Sequence, residues 1–152
     1  MNNIDADVIV PLRVEHAVVM AKIEKLAHTH PWSEMSLKEC FGPLYRVVGI
    51  KRQDDLCGFA IVQQIIDEAT LLDICVAPEK QGSGLGAALM QQLIDDAKNA
   101  GAVVLMLEVR QSNKAAKYLY DKVGFIEAGR RKNYYPTHDG YEDAILMDLS
   151  LD

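Results

Sequence analysis

Cysteine is scarce and poorly placed for cross-linking. Cys40, Cys57 and Cys75 stand 17 and 18 residues apart, an odd count with no Cys-x-x-Cys pair. This pattern excludes a disulfide framework and a zinc ribbon, and predicts three reduced thiols acting as small core residues in a cytoplasmic protein. Apolar runs are short, and none approaches the roughly 20 residues of a membrane-spanning helix. The start, Met1-Asn2-Asn3-Ile4-Asp5, has neither the basic residues nor the apolar stretch of a secretory leader. Basic charge is in deficit: 16 Lys and Arg against 22 Asp and Glu leave a net charge of −6. Direct nucleic-acid binding calls for a basic face, so neither nucleic acid nor a membrane is expected as a partner, whereas a cationic peptide would be attracted. His28, His30 and His138 are the only hint of a metal, and His-x-His without a third ligand in view predicts none.

What is present is an ordinary globular composition, 49% hydrophobic and 25% charged over 152 residues. That length predicts a single domain spanning 1–152, working as a monomer. Val8-Ile9-Val10 reads as a first strand. Residues 14–27 carry Val14, Ala17, Val18, Ala21 and Leu26 at helical spacing, until His28-Thr29-His30-Pro31-Trp32 breaks the pattern. Ser33 or Ser36 caps the next helix, with Ser36-Leu37-Lys38-Glu39 matching a capping box. Strands follow at 45–51, 56–66 and 69–76, joined by polar turns short enough to make them antiparallel neighbours. Leu85, Ala88, Leu89, Leu93 and Ala97 form the apolar stripe of a helix ending at Ala100-Gly101. Val103 to Val109 is nearly all apolar, as in a strand buried on both faces. A helix over 113–123 and strands from Phe125 and over 143–149 complete the order β-α-α-β-β-β-α-β-α-β-β. The fold class is α/β (α+β), a mixed sheet of seven strands with four helices.

The chemistry concentrates in Gln81-Gly82-Ser83-Gly84-Leu85-Gly86-Ala87, a glycine-rich turn between a strand and a helix. Without Cβ atoms at 82, 84 and 86, backbone N–H groups can close around phosphate oxygens, aided by the unpaired N–H groups and positive end of the helix. The same residues satisfy G-x-G-x-x-A, a dinucleotide fingerprint, with Glu108 ending the next strand where a ribose-binding carboxylate would sit. Two features argue against that rival. Pro78-Glu79-Lys80-Gln81 separates the strand from its first glycine, and the chain has one strand–helix–strand unit where a doubly wound sheet needs several. No Gly-Lys-Ser/Thr follows, which excludes a Walker-type loop. A glycine turn without any ligand remains the plain structural reading.

Gln81-Gly82-Ser83-Gly84-Leu85-Gly86 resembles the Q/R-x-x-G-x-G/A motif of the GCN5-related N-acetyltransferases (GNAT). Leu107-Glu108-Val109-Arg110, Ser112-Asn113, Leu119-Tyr120, Gly124-Phe125 and Asn133-Tyr134-Tyr135-Pro136 are similar to its RimI branch. Pro31-Trp32-Ser33-Glu34 and Asp139-Gly140-Tyr141-Glu142-Asp143-Ala144 extend the likeness over most of the chain. The resemblance implies the GNAT fold and acetyl-CoA as co-substrate. It further implies acetylation of the N-terminal alanine of small-subunit ribosomal protein eighteen by direct attack in a ternary complex. Members of the family acting on another peptide, a lysine or a small amine are the alternative, as is a non-catalytic acyl-CoA-binding module. Cofactor contacts are implied for the backbone of Ile74, Cys75 and Val76, for Gln81, Gly82, Ser83, Gly84, Leu85, Gly86 and Ala87, and for Asn113. The family often carries a basic residue where this chain has Gly82 and Ser83, so phosphate binding here would rest on N–H groups and Ser83.

Acetyl transfer to an amine needs a neutral nucleophile and a proton for the departing thiolate. An α-amine titrates at about 7.7–8.0 and a lysine at about 10.4, so an N-terminal amine asks less of a base. Glu108 is the candidate base, its proton affinity expected to rise by desolvation at a buried strand edge; pairing with Arg110 is the structural alternative. Tyr120 is the candidate acid, or else a core aromatic. Asn113 lies seven residues before Tyr120, on the same helix face, and would otherwise serve as an N-cap. Trp32, Tyr135 and Glu142 are expected to shape a groove for a basic peptide.

Overall fold

Alternating and continuous apolar runs set the strands, and these pair into one seven-stranded sheet. The computed structural model describes residues 7–152; the Met1–Asp5 start lies outside them. In chain order the elements are β1 (Asp7–Pro11), α1 (Ala17–Ala27), α2 (Glu34–Lys38), β2 (Tyr45–Arg52), β3 (Asp55–Ile65) and β4 (Glu68–Val76). They continue with α3 (Leu85–Asn99), β5 (Val104–Arg110), α4 (Lys114–Val123), β6 (Ile126–Pro136) and β7 (Tyr141–Ser150). The sheet order is β1-β2-β3-β4-β5-β7-β6, with β4 and β5 parallel and every other pair antiparallel. The order of elements is the one expected from the sequence. No helix among the described residues is long and apolar enough to cross a membrane.

Helices cover both faces. Leu85, Leu89, Met90 and Leu93 of α3 pack with Tyr120 of α4 against Leu71, Leu105 and Ile145. On the other face, Met20 and Ile23 of α1 and Leu37 of α2 pack against Phe59, Ile61 and Cys75. Each large apolar side chain so buried contributes about 1.5–3 kcal/mol. All three cysteines are free and buried.

Three local expectations are revised. In α1 the buried stripe is Ala17, Met20, Ile23 and Glu24, while Val14, Val18 and Leu26 are exposed. A separate 3-10 turn at Val14–His16 fixes the phase, so the bulkier apolar residues face outward and a glutamate faces in. Ser33, and not Ser36, caps α2, its hydroxyl accepting the Ser36 N–H at 3.1 Å; the Ser36–Glu39 box lies inside the helical segment. Finally, β5 is buried on one face only. Leu105, Leu107 and Val109 point into the core, whereas Glu108 is exposed on the opposite face.

The strand pair that positions the site is β4 and β5. Their register runs only from Glu68↔Val104 to Thr70↔Met106, and beyond it the two strands carry no pairing with each other. A bulge in β4 at the Ile61/Val62 register shift turns the end of the strand away. The backbone edge from Leu71 to Val76 therefore faces a gap where a neighbouring strand would normally be.

Candidate active site

The gap opens into a cleft of about 560 Å³ lined by the end of β4, the glycine turn, the start of α4 and the segment following α1. The turn gets its shape from backbone conformations that only glycine adopts readily: Gly82 has φ +83° and Gly84 φ +86°. Gly84 is the N-cap of α3 and supplies no side chain to it, and no acidic residue occupies the first turn. The first N–H groups of a 15-residue helix are thus left for an anion. Gln81, Gly82, Gly84, Leu85 and Gly86 line the cleft. Gln81 also ties the turn together, its amide donating to the Val76 carbonyl at 3.0 Å. Ser83 is turned away, its hydroxyl donating to the Lys80 carbonyl at 2.5 Å. Ser83 and Ala87 are not in the lining, whereas Lys80, which the motif did not single out, is. A lysine five residues before α3 thus provides a cation near a loop that lacks one at 82 and 83.

Ile74, Cys75 and Val76 line the cleft along the open edge of β4. Asn113 lines it from the far side. Asn113 is the N-cap of α4, its Oδ1 accepting the Ala116 N–H at 3.2 Å, which leaves its NH₂ group for a ligand.

Glu108 and Tyr120 reach the same cleft from different elements. Tyr120 is buried and packs against Phe125 with ring centroids 5.7 Å apart. Burial, with the negative charge of Asp73 adding to it, pushes its phenol well above the ordinary tyrosine range. The hydroxyl is therefore a proton donor throughout the working pH range. Core packing and cleft lining are both true of this side chain.

Glu108 is not the desolvated carboxylate expected from the sequence, its side chain being 33% exposed. Its partner is not Arg110 either. Arg131 Nε pairs with Oε1 at 3.1 Å, and the Tyr135 hydroxyl donates to Oε2 at 3.4 Å. Arg110 lies instead over the Tyr135 ring, 4.3 Å from its centroid, and pairs with Glu142 Oε2 at 3.3 Å. Glu142 also accepts the Ser112 N–H at 2.8 Å, and that bond, with Arg110, holds its carboxyl below the usual range. Glu142 thus braces the junction of β5 and α4 and is absent from the lining, unlike Trp32 and Tyr135, which are in it. The register Tyr135↔Glu142 between β6 and β7 produces this, and neither motif alone showed it.

A second polar cluster lies across the gap from Glu108, on the face of β4 that meets α1. Glu24, only 1% exposed, accepts the Trp32 N–H through Oε2 at 3.1 Å. His28 Nε2 stands 3.4 Å from Asp73 Oδ1 and 4.0 Å from Glu24 Oε2. Burial, reinforced by Asp73, pushes the Glu24 carboxyl well above the ordinary range. Asp73 in turn raises His28. These residues and Cys75 come from two distant segments; the sequence signalled them only through His28 of the His-x-His pair and the i, i+4 spacing of Glu24 and His28 on one helix face.

An open sheet split between two parallel strands, with a glycine turn, a helix start, a carboxylate and a phenol all lining the split, defines an N-acetyltransferase. The chain belongs to the Acetyltransferase (GNAT) family, whose model matches residues 17–125. Among curated relatives, the [ribosomal protein bS18]-alanine N-acetyltransferase of Escherichia coli K12 is 47% identical over 129 residues, 85% of this chain and 87% of that protein. The crystal structure of the ribosomal-protein-S18-alanine N-acetyltransferase from Escherichia coli superposes with a TM-score of 0.92 at 43% identity, covering 96% of this chain and 94% of that one. The structure of yncA from Salmonella typhimurium with its cofactor acetyl-CoA shares the fold at a TM-score of 0.81 and 19% identity, covering 97% and 95% of the two chains.

Proposed function

We propose that the chain moves the acetyl group of acetyl-CoA to the α-amine of the N-terminal alanine of a ribosomal protein of the bS18 kind, by direct attack in a ternary complex in the cytoplasm. The observation that carries this reading is the separation of β4 from β5 beyond Thr70 and Met106, with Glu108 and Tyr120 lining the cleft so formed. The residues fit the cofactor on three counts. The free edge at Ile74, Cys75 and Val76 can pair with the amides of a pantetheine arm as with an added strand. The Gly82–Gly86 turn and the uncapped start of α3 suit a pyrophosphate, and Lys80 and the Asn113 NH₂ group add donors. Acetyl-CoA would supply the activated acyl group.

The chain's own residues then divide the proton work. Glu108, oriented by Arg131 and Tyr135, accepts the proton of the attacking amine, directly or through one water. Tyr120 donates a proton to the departing sulfur. A covalent acetyl-enzyme is not needed: burial, with the negative charges of Glu24 and Asp73, pushes the Cys75 thiol up and keeps it protonated. Trp32 and Tyr135 form the walls that receive the first residue of the peptide. The acidic body, with a net charge of −6, favours a basic sequence behind that residue.

The test is mass spectrometry of a peptide beginning Ala-Arg, incubated with the protein and acetyl-CoA. One acetyl group on the first residue is expected. A parallel arm uses the same peptide with a blocked N-terminus and an internal lysine, together with a polyamine. Acetylation only in that second arm would replace the proposed substrate with a side-chain or small amine. Tight acetyl-CoA binding without turnover in either arm would leave a binding module.

A further inference from the structure

Buried polar atoms nearly always have a partner, and an orphan calls for an explanation such as an ion. Among the described residues three such atoms make no hydrogen bond, Glu24 Oε1, His28 Nε2 and Asp73 Oδ2, and the His28 nitrogen has only its ion-pair contacts with Asp73 at 3.4 Å and Glu24 at 4.0 Å. They belong to one cluster, joined by a sulfur. Ligand atoms of Glu24, His28 and Cys75 all lie within 4.8 Å of one another. Around a tetrahedral zinc ion, nitrogen, oxygen and sulfur ligands stand about 3.3–3.6 Å apart. The 3.4 Å between His28 Nε2 and Asp73 Oδ1 already has that spacing.

We propose that Glu24, His28 and Cys75, with Asp73 closing the fourth position, bind one borderline divalent ion of the zinc class and so clamp the last turn of α1 to β4. The donor set supports this class: an imidazole and a thiolate select a borderline metal over calcium or magnesium, which prefer oxygen alone. Outer partners are in place. The Trp32 N–H holds Glu24 Oε2, which stands 4.0 Å from His28 Nε2, and Oε1 makes no hydrogen bond. The Ile74 carbonyl also acts on the His28 ring, as the backbone carbonyl behind a metal-bound histidine commonly does. An entry path exists, because His28 is 30% exposed and lines the cleft with Glu24, Asp73 and Cys75. On binding, Cys75 gives up its thiol proton to solvent and coordinates as the thiolate. The proposal is independent of which amine is acetylated.

The test uses the full chain, stripped with a chelator and titrated with Co²⁺ as the spectroscopic probe. We expect one equivalent to bind, with visible bands of a four-coordinate site and a near-ultraviolet thiolate-to-metal band, all displaced by Zn²⁺. Cys75→Ser should abolish the thiolate band, while Cys40→Ser, altering a thiol outside the cluster, should keep it. His28→Gln should weaken Co²⁺ binding by about a hundredfold and cancel the rise in Tm that Zn²⁺ gives the parent. The proposal is overturned if the parent shows no thiolate band at saturating Co²⁺, or if the band survives Cys75→Ser. Should Cys75→Ser fail to fold by circular dichroism, His28→Gln decides, and unchanged Co²⁺ affinity there rejects the site. A parent whose Tm does not respond to Zn²⁺ would mean that the two carboxyls share a proton instead of an ion.

Discussion

Tyr135 and Glu108 lie two strands apart in the sheet, with β7 between them, yet the phenol donates to the carboxylate at 3.4 Å. The register of β6 against β7 breaks between Arg131 and Tyr135, and Asn133 sits at φ +52° inside the break. That irregularity lets Arg131 and Tyr135 both reach over β7 to one carboxylate. Glu108→Gln should lower kcat by about tenfold or more, the low end of what a positioned base contributes, with the KM for acetyl-CoA unchanged. Its melting temperature should barely move, since a partly exposed ion pair is worth about 0–1 kcal/mol. Tyr135→Phe removes one long hydrogen bond and should cost only a few-fold. Steady-state kinetics with the Ala-Arg peptide separate these outcomes, and parental turnover in Glu108→Gln would remove the base assignment.

Tyr120 gives a prediction about pH. A raised phenol pKa favours the protonated form, so the donor is present at every pH below its folded value, which lies above the ordinary 10. The pH–rate profile of the parent should therefore show no loss of rate from this group on its alkaline side up to about pH 10. Tyr120→Phe should lower kcat by about tenfold or more while leaving the shape of the profile unchanged. A profile whose alkaline limb disappears in Tyr120→Phe would show that the phenol ionises within the working range.

The phosphate turn separates a useful substitution from a harmful one. Gly82 stands at φ +83°, where any side chain costs about 1–2 kcal/mol, so Gly82→Arg adds charge and strain together. Ser83 has no such restriction and can take the basic residue. Ser83→Arg should lower the KM for acetyl-CoA about threefold, the worth of one screened charge beside a helix start, with Tm held. Lys80→Ala should raise that KM by a similar factor. Isothermal titration with CoA at two salt concentrations checks both; affinities indifferent to either change would rule out a part for charge.

How far the sequence could be read depended on whether the chemistry was local. The glycine turn, Asn113 and Tyr120 each belong to a contiguous motif; spacing put Asn113 and Tyr120 on one helix face, and the family resemblance joined that face to the turn. The phase of α1 was not legible, because a short 3-10 turn before it decides which residues face inward, and this hid Glu24 in the core. The cluster of Glu24, His28, Asp73 and Cys75 needs a helix end docked against a strand 45 residues later in the chain, a relation no periodicity encodes. The exposure of Glu108 followed from the pleat of β5, where one residue of an apolar run turns to the open face. Glu142 was misjudged for the opposite reason: an acidic residue in a loop motif reads as surface, and only strand pairing reveals its internal partners.

Glu142 makes that point measurable. Its carboxylate accepts the Ser112 N–H and pairs with Arg110, and these contacts lower its folded pKa below the ordinary 4.5. A depressed carboxyl contributes stability that is fully present above its unfolded pKa and is lost as pH falls through the folded one. Glu142→Gln keeps the shape but removes the charge, so it should cost about 1 kcal/mol at neutral pH, the scale of a charge-assisted hydrogen bond at a partly covered site. The difference in stability between parent and variant should shrink as pH falls below 4.5 and vanish once the parent carboxyl is protonated in the folded state as well. Urea titrations of both proteins across that range give the comparison. The KM for the peptide should stay at the parental value, because the carboxylate faces the β5–α4 junction and not the cleft. A raised peptide KM with parental stability would instead restore Glu142 to the peptide groove.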